Sequence, residues 1–190
     1  MSTIVLLVVV AAVVLWVIGT YNGLIALKNQ VLNGWKQIDV QLKRRHDLIP
    51  NLVNTVKGAM DFERSTLEAV ISARNKAVSA SGVQQTARAE GELTQALGRL
   101  FALTEAYPDL KATGNVAQLQ EELTSTENKI GFARQHYNDM ATQYNTKQAT
   151  FPTMLVAGLA KAAPAELWEI TDDSERAVPA VDLSTNKPAP

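Results

Sequence analysis

The stretch VAQLQEELTSTENKIGFARQHYNDMATQY, Val116 to Tyr144, decides the fold. Val116, Leu119, Leu123, Thr126, Ile130, Ala133, Tyr137, Met140 and Tyr144 follow one another in alternating steps of three and four. That spacing returns a side chain to the same face of a helix, whereas a strand would alternate at every second residue. The reading is a long helix with one narrow, largely apolar seam, which needs another helix to cover it. Asn115 precedes the seam and Gln118 stands three residues on, an arrangement suited to capping the first turn. Phe151-Pro152 closes it, and a short apolar stretch, Met154 to Ala163, follows.

Outward from this seam the periodicity stays helical. Trp35, Ile38, Leu42, Ile49, Leu52 and Val56 keep the three-and-four spacing with Arg45 in the intervening core slot, and Leu67, Val70, Arg74 and Ala77 continue it. The pattern crosses Pro50 in phase. Pro50 therefore admits two readings: a kink in one very long helix, or a turn in which Asp47 caps a new helix. Ser79-Ala80-Ser81-Gly82 marks a break. Ala89, Leu93, Ala96, Leu100, Leu103 and Tyr107 form a second stripe, stopped by Pro108. The chain reads as all-α, and it shows no internal repeat. From Pro164 the character changes, with prolines at 164, 179, 188 and 190 and the acidic cluster Asp172-Asp173-Ser174-Glu175. This reads as a packed-on or a loose tail, with Trp168 as its natural docking residue.

At the other end, Ile4 to Ile18 is an unbroken apolar run, and no charged side chain occurs before Lys28. A helix from Met1 to Tyr21 spans roughly 31 Å at about 1.5 Å per residue, enough for a hydrocarbon core. A buried core helix would show a polar face, and a cleaved signal peptide a basic start and a small-residue cleavage site. Neither is present, so the segment reads as a retained anchor. Ile4, Leu7, Val10, Val14 and Ile18 are its apolar body, and Trp16 and Tyr21 its interfacial aromatics. The lipid bilayer is thus the first expected partner. Lys28 and Lys36 follow the span, which by the positive-inside rule favours a cytoplasmic C-terminal domain.

Composition limits the chemistry. The 190 residues suit one modest domain; 46% are hydrophobic, 6% aromatic, and none is cysteine. Disulfides, thiolate metal sites and thiol nucleophiles are excluded. A net charge of -1 offers no broad basic surface, so nucleic acid is not an expected partner. His46 and His136 belong to no metal motif: Lys43 and Ala133 stand where a Glu-x-x-His pair needs its glutamate. Phosphate-binding glycine loops and a nucleophile elbow are absent from the sequence. Glu121-Glu122 and Glu90/Glu92 read as solvated helix surface. No catalytic, cofactor-binding or metal-binding residue is therefore assigned, and no cofactor is expected.

The densest polar segment is Lys43-Arg44-Arg45-His46-Asp47. As a cationic last turn it would face the helix dipole, with Asp39 pairing Lys43. On a straight helix Lys43 stands roughly 33 Å beyond Tyr21, too far for the same bilayer surface. Asp39, Lys43, Arg44, Arg45 and Asp47 are accordingly candidates for protein contact. Tyr137-Asn138 and Tyr144-Asn145 read as seam tyrosines with asparagines beside them.

Tyr21-Asn22-Gly23-Leu24, Asn33-Gly34-Trp35, the run Ile38 to Val53, Thr55-Val56-Lys57-Gly58, Glu105-Ala106-Tyr107-Pro108-Asp109-Leu110, Thr126-Glu127-Asn128-Lys129-Ile130, Tyr137-Asn138-Asp139, Tyr144-Asn145 and Phe151-Pro152 together closely resemble the LemA family. The match runs in order from about Tyr21 to Ala163. Small departures occur at Gly34, where alanine is commoner, and at Ala59-Met60 and Phe62. The resemblance implies a bacterial inner-membrane protein with one N-terminal span, then an antiparallel bundle of three to four long helices, without an established enzymatic activity. A magnetosome-membrane protein looks like a relative, which implies a role in shaping or organising membranes.

The expected division is an anchor over residues 1–21, a bundle over 22–163 and a tail over 164–190. The expected function is a non-catalytic, self-associating membrane scaffold, with homo-oligomers and other membrane proteins as partners. The alternatives are a sensor or adaptor for an envelope protease or transporter, and a hydrolase using carboxylates at the bundle end.

Overall fold

The computed structural model describes residues 1–57, 63–107 and 114–169. Among these all regular structure is helical: α1 (Ser2–Lys57), α2 (Arg64–Ser79), α3 (Val83–Glu105), α4 (Gly114–Ala149) and the short α5 (Met154–Ala157). The all-α expectation holds, with four long helices packed as an antiparallel bundle.

The α4 seam is covered by α1 of the same chain. Leu24, Val31, Ile38 and Leu42 of α1 meet Ile130, Tyr137, Ala141 and Tyr144 of α4 in one buried cluster, with Trp35 and Met140 packed against it. Farther along, Ile49, Leu52, Val53 and Val56 join Leu67, Val70, Ala73 and Ala77 of α2, Leu93, Leu97 and Leu100 of α3, and Val116 and Leu123 of α4. The domain therefore has two storeys. Near the N-terminal segment it is chiefly an α1/α4 pair; beyond about Leu48 it is a four-helix core. Each fully buried Leu, Ile or Val contributes about 1.5–3 kcal/mol of transfer free energy, which is what holds two such long helices in register.

The two helices of the pair approach closely at Gly34. A Cβ there would stand 3.3 Å from Tyr137 Cα, tighter than ordinary contact.

α1 settles the reading of Pro50: one helix runs through it, and Asp47 is exposed inside that helix rather than capping a new one. Proline supplies no N–H to the carbonyl four residues back, that of His46. Arg74 Nε donates to this carbonyl at 2.9 Å, so α2 folds back and supplies the missing hydrogen. The apolar stripe that runs in phase to Ala77 is thus carried by two helices, α1 (Ser2–Lys57) and α2 (Arg64–Ser79). At the third step of the α2 stripe the buried residue is Ala73, and Arg74 lies half-buried at its edge.

Gly82, at φ +80°, leads directly into α3, a backbone conformation that favours glycine. The buried face of α3 is Thr86, Glu90, Leu93, Leu97, Leu100 and Thr104. Ala89, Ala96 and Leu103 of the expected stripe flank it, half-buried. α3 ends at Glu105, ahead of Pro108, which lies outside the described residues. Asn115 lies inside α4 (Gly114–Ala149) instead of preceding it.

The N-terminal third of α1 is apolar and uncovered. Its most hydrophobic window has no buried residue, unlike a core helix, and among the described residues α1 is the one helix long and apolar enough to cross a membrane. Ile4, Leu7, Val10, Val14, Trp16, Ile18 and Tyr21 are all exposed. The helix continues through Tyr21 without a break, and Leu24 is its first buried residue. The apolar segment and the bundle share one helix about 84 Å long, at 1.5 Å per residue over 56 residues.

Candidate functional site

Where the two storeys meet, the core contains charge. Arg45 occupies the α1 core slot at 3% exposure, and Glu90 reaches it from α3 at 3%. Arg45 Nη1 lies 3.2 Å from Glu90 Oε2 and 3.1 Å from Glu127 Oε2 on α4. Its Nη2 donates to Thr94 Oγ1 at 2.8 Å, and Thr94 donates to the Glu90 carbonyl at 3.0 Å. The other oxygen of Glu90 meets His46 Nε2 at 2.6 Å. One guanidinium thus bridges α1, α3 and α4. Through the His46 carbonyl, α2 is tied to the same point.

Both oxygens of Glu90 are held by Arg45 and His46. The carboxylate is thereby fixed as an acceptor for two partners at the junction of the helices. A buried ion pair of this kind gives little net stability against an apolar alternative but strongly penalises its own dissection, so it fixes which helix faces meet. Among the described residues no group of three or more His, Cys, Asp or Glu side chains could hold a metal ion.

Beside this network a cleft of about 460 Å³ opens between α3 and α4, lined by Arg45, Arg88, Glu90, Glu92, Glu127, Arg134, Trp168 and Glu169. Trp168 forms one wall. It is buried at 4% exposure, 5.9 Å from the Trp35 ring, with the Arg134 guanidinium 5.2 Å from its centroid. The expected docking role of Trp168 holds.

The tail is strapped down by the two asparagines beside the seam. Asn138 donates to the Trp168 carbonyl at 2.9 Å and accepts from the Trp168 N–H at 2.8 Å. One heptad on, Asn145 does the same with Ala165, at 2.9 and 2.8 Å. Between them the Tyr137 hydroxyl donates to the Glu166 carbonyl at 2.7 Å. Burial, and secondarily the Glu166 charge, raises the Tyr137 pKa above its usual value. These side chains present to an irregular chain the donors and acceptors that a neighbouring strand would offer. The sequence reading placed the asparagines correctly beside the seam and missed this task.

Of the expected contact residues, Arg45 points inward, while Asp39, Lys43, Arg44 and Asp47 are exposed on α1. The segment lies mid-helix, well before Lys57, so it is not a last turn facing a dipole. The unbroken course of α1 also carries Lys43 away from the level of Tyr21, in line with the reach argument. Glu90 corrects the solvated-acid expectation, whereas Glu92 is exposed and pairs with Lys76 at 2.9 Å. The missed signal was Arg45 itself: a cation in a core slot requires a buried counter-charge.

Among the described residues, a four-helix bundle continuous with one helix of membrane-spanning length, organised about internally satisfied charges, points to the class of helical membrane proteins. The LemA family profile matches residues 34–183, and the chain belongs to that family. It is 31% identical over 142 residues to Protein LemA of Metamycoplasma hominis, covering 74% of this chain and 64% of that one. It is 23% identical over 175 residues to Magnetosome protein MamQ 2 of Paramagnetospirillum magneticum, covering 78% and 64%. Magnetosome protein MamQ of Magnetospirillum gryphiswaldense is 23% identical over 158 residues, with 70% and 58% covered. The matches span less than two thirds of each relative's own length.

Proposed function

We propose that this protein is a non-catalytic, membrane-anchored helical scaffold that self-associates and organises the bacterial inner membrane, with its bundle on the cytoplasmic side. The observation that carries the reading is α1, which joins the span to the four-helix core without a joint. Such a rod holds the bundle at a set height and orientation, as a scaffold requires and a diffusing enzyme does not. Kinship with proteins named for the magnetosome supports an organising task.

The α4 seam is filled by α1 of the same chain, so association falls to other surfaces. Val40, 63% exposed on α1, and Phe132, 74% exposed on α4, line one outward groove between the two helices. Confinement to a plane raises the effective concentration of such weak contacts. The exposed Asp39, Lys43, Arg44 and Asp47 support a second reading, an adaptor that docks another membrane protein along α1. Imaging and native mass spectrometry of the full-length protein in lipid separate the two. Oligomers weakened by Phe132→Ser support the scaffold; a uniform monomer overturns it and leaves the adaptor.

A further inference from the structure

At the end of the bundle farthest from the four-helix core, apolar side chains face outward. Phe151 is 73% exposed, Met154 53%, Leu155 64% and Leu159 72%. They stand on a well-fixed turn. α5 directs Val156 and Ala157 inward, with Ala157 packed in the cluster that contains Leu24. Backbone bonds from Met154 to Thr150 and from Ala157 to Thr153 hold the turn closed. Scattered apolar residues are ordinary on a protein surface; four within one short turn form a patch.

The place of the patch says what covers it. In the antiparallel pair Gly34 lies against Tyr137, and Arg45 reaches Glu127. The same register brings the end of α4 to the last turns of the apolar run, where Trp16 and Thr20 share one groove with Phe151 and Pro152. Granted that α1 crosses the bilayer, on which this inference rests, a membrane around Ile4 to Ile18 reaches the patch at the depth of Trp16. Lys147 and Lys161, both exposed, flank it in sequence, within reach of lipid phosphates.

We propose that the α4–α5 turn is a second membrane contact: a foot that inserts Phe151, Met154, Leu155 and Leu159 into the headgroup–acyl boundary of the leaflet from which α1 emerges. Interfacial elements of this kind bury an apolar face only about 5–10 Å deep, which suits a turn rather than a span. Two contacts, one through the bilayer and one upon it, keep the bundle from tilting about α1.

The chain has no cysteine, so single labels are unambiguous. Full-length protein carrying Leu155→Cys or Leu159→Cys with a nitroxide is placed in vesicles of phosphatidylcholine and phosphatidylglycerol. Relaxation by oxygen, which concentrates in lipid, is compared with relaxation by a water-soluble nickel chelate. Val10→Cys marks the span and Ser125→Cys the aqueous face of α4. The foot predicts oxygen-to-nickel ratios at 155 and 159 several-fold above that at 125 and below that at 10. Nickel access at 155 and 159 with protection at 10 overturns the foot and leaves the span. Nickel access at 10 overturns both. Protection of 155 and 159 from both reagents assigns the patch to a second copy and also overturns the foot.

Discussion

Arg74 donates its Nε to the main-chain carbonyl of His46 at 2.9 Å, the carbonyl that Pro50 leaves without its helical N–H. A helix interrupted by proline normally exposes such a carbonyl to water or bends around it. Here an arginine from the returning helix fills the gap, so a local defect becomes a tertiary contact. Arg74→Ala is expected to cost about 1.5–3 kcal/mol, the range for a hydrogen bond with a charged donor. In a Pro50→Ala background, where a new N–H can take the carbonyl, the same change should cost less. A double-mutant cycle on thermal unfolding in detergent measures the coupling, and additive effects would sever the two residues.

Breaking the Arg45–Glu90 pair should be far more damaging than replacing it. Arg45→Met strips the buried Glu90 carboxylate of its arginine, an expected loss of about 3–5 kcal/mol, whereas Glu90→Gln leaves Arg45 its contact with Glu127 and should cost less. Arg45→Met combined with Glu90→Met should recover much of that loss. Equal loss in single and double variants would show that the pair contributes more than helix registry.

Asn138→Ala and Asn145→Ala each remove a donor and an acceptor from the strap, at about 1 kcal/mol per neutral bond. The expected outcome is release of residues 164–169 while the bundle stays folded. Faster proteolysis after residue 161 and red-shifted emission from Trp168 report it; unchanged protection would show that Trp168 packing alone holds the tail.

At Gly34, substitution by alanine should be nearly neutral, its helix propensity offsetting a 3.3 Å contact that needs only a small shift. The larger change Gly34→Leu forces α1 and α4 apart and should cost about 2–3 kcal/mol by overpacking. Denaturant midpoints of Gly34→Ala and Gly34→Leu give the comparison, and equal midpoints would remove the close approach from the account of the pair.

Tyr137 contributes an alkaline dependence of known sign. Its folded pKa is raised above 10.0, so the folded state keeps a proton that the unfolded chain loses first. The corresponding stability is fully present below pH 10.0 and is lost as pH rises through the folded value. Tyr137→Phe should flatten that part of the unfolding profile, and an unchanged slope would assign it elsewhere.

What the sequence shows most clearly is whatever repeats locally. The seam from Val116 to Tyr144 needs only its own spacing to be recognised, and none of its nine named positions is exposed in the fold. Chain reversal is harder to read, because a stripe that remains in phase from Val56 to Leu67 looks the same whether one helix carries it or two. Glu90 resembles any surface acid until Arg45 and His46, more than forty positions away, are brought beside it. Asn138 and Asn145 bind main chain, which has no side-chain signature to search for. Local periodicity is legible in such a protein, and long-range polar pairing is legible only by asking what a misplaced charge demands.

The unbroken course of α1 makes compass bearing a property of the whole molecule. Each residue turns the helix by about 100° and lifts it by about 1.5 Å. One residue inserted between Tyr21 and Leu24 would turn the span by about 100° against the bundle and part Trp16 and Thr20 from the groove they share with Phe151 and Pro152. The first two dozen residues thus set the azimuth of the apolar segment against the bundle, and any contact that used both would have to match the two at once.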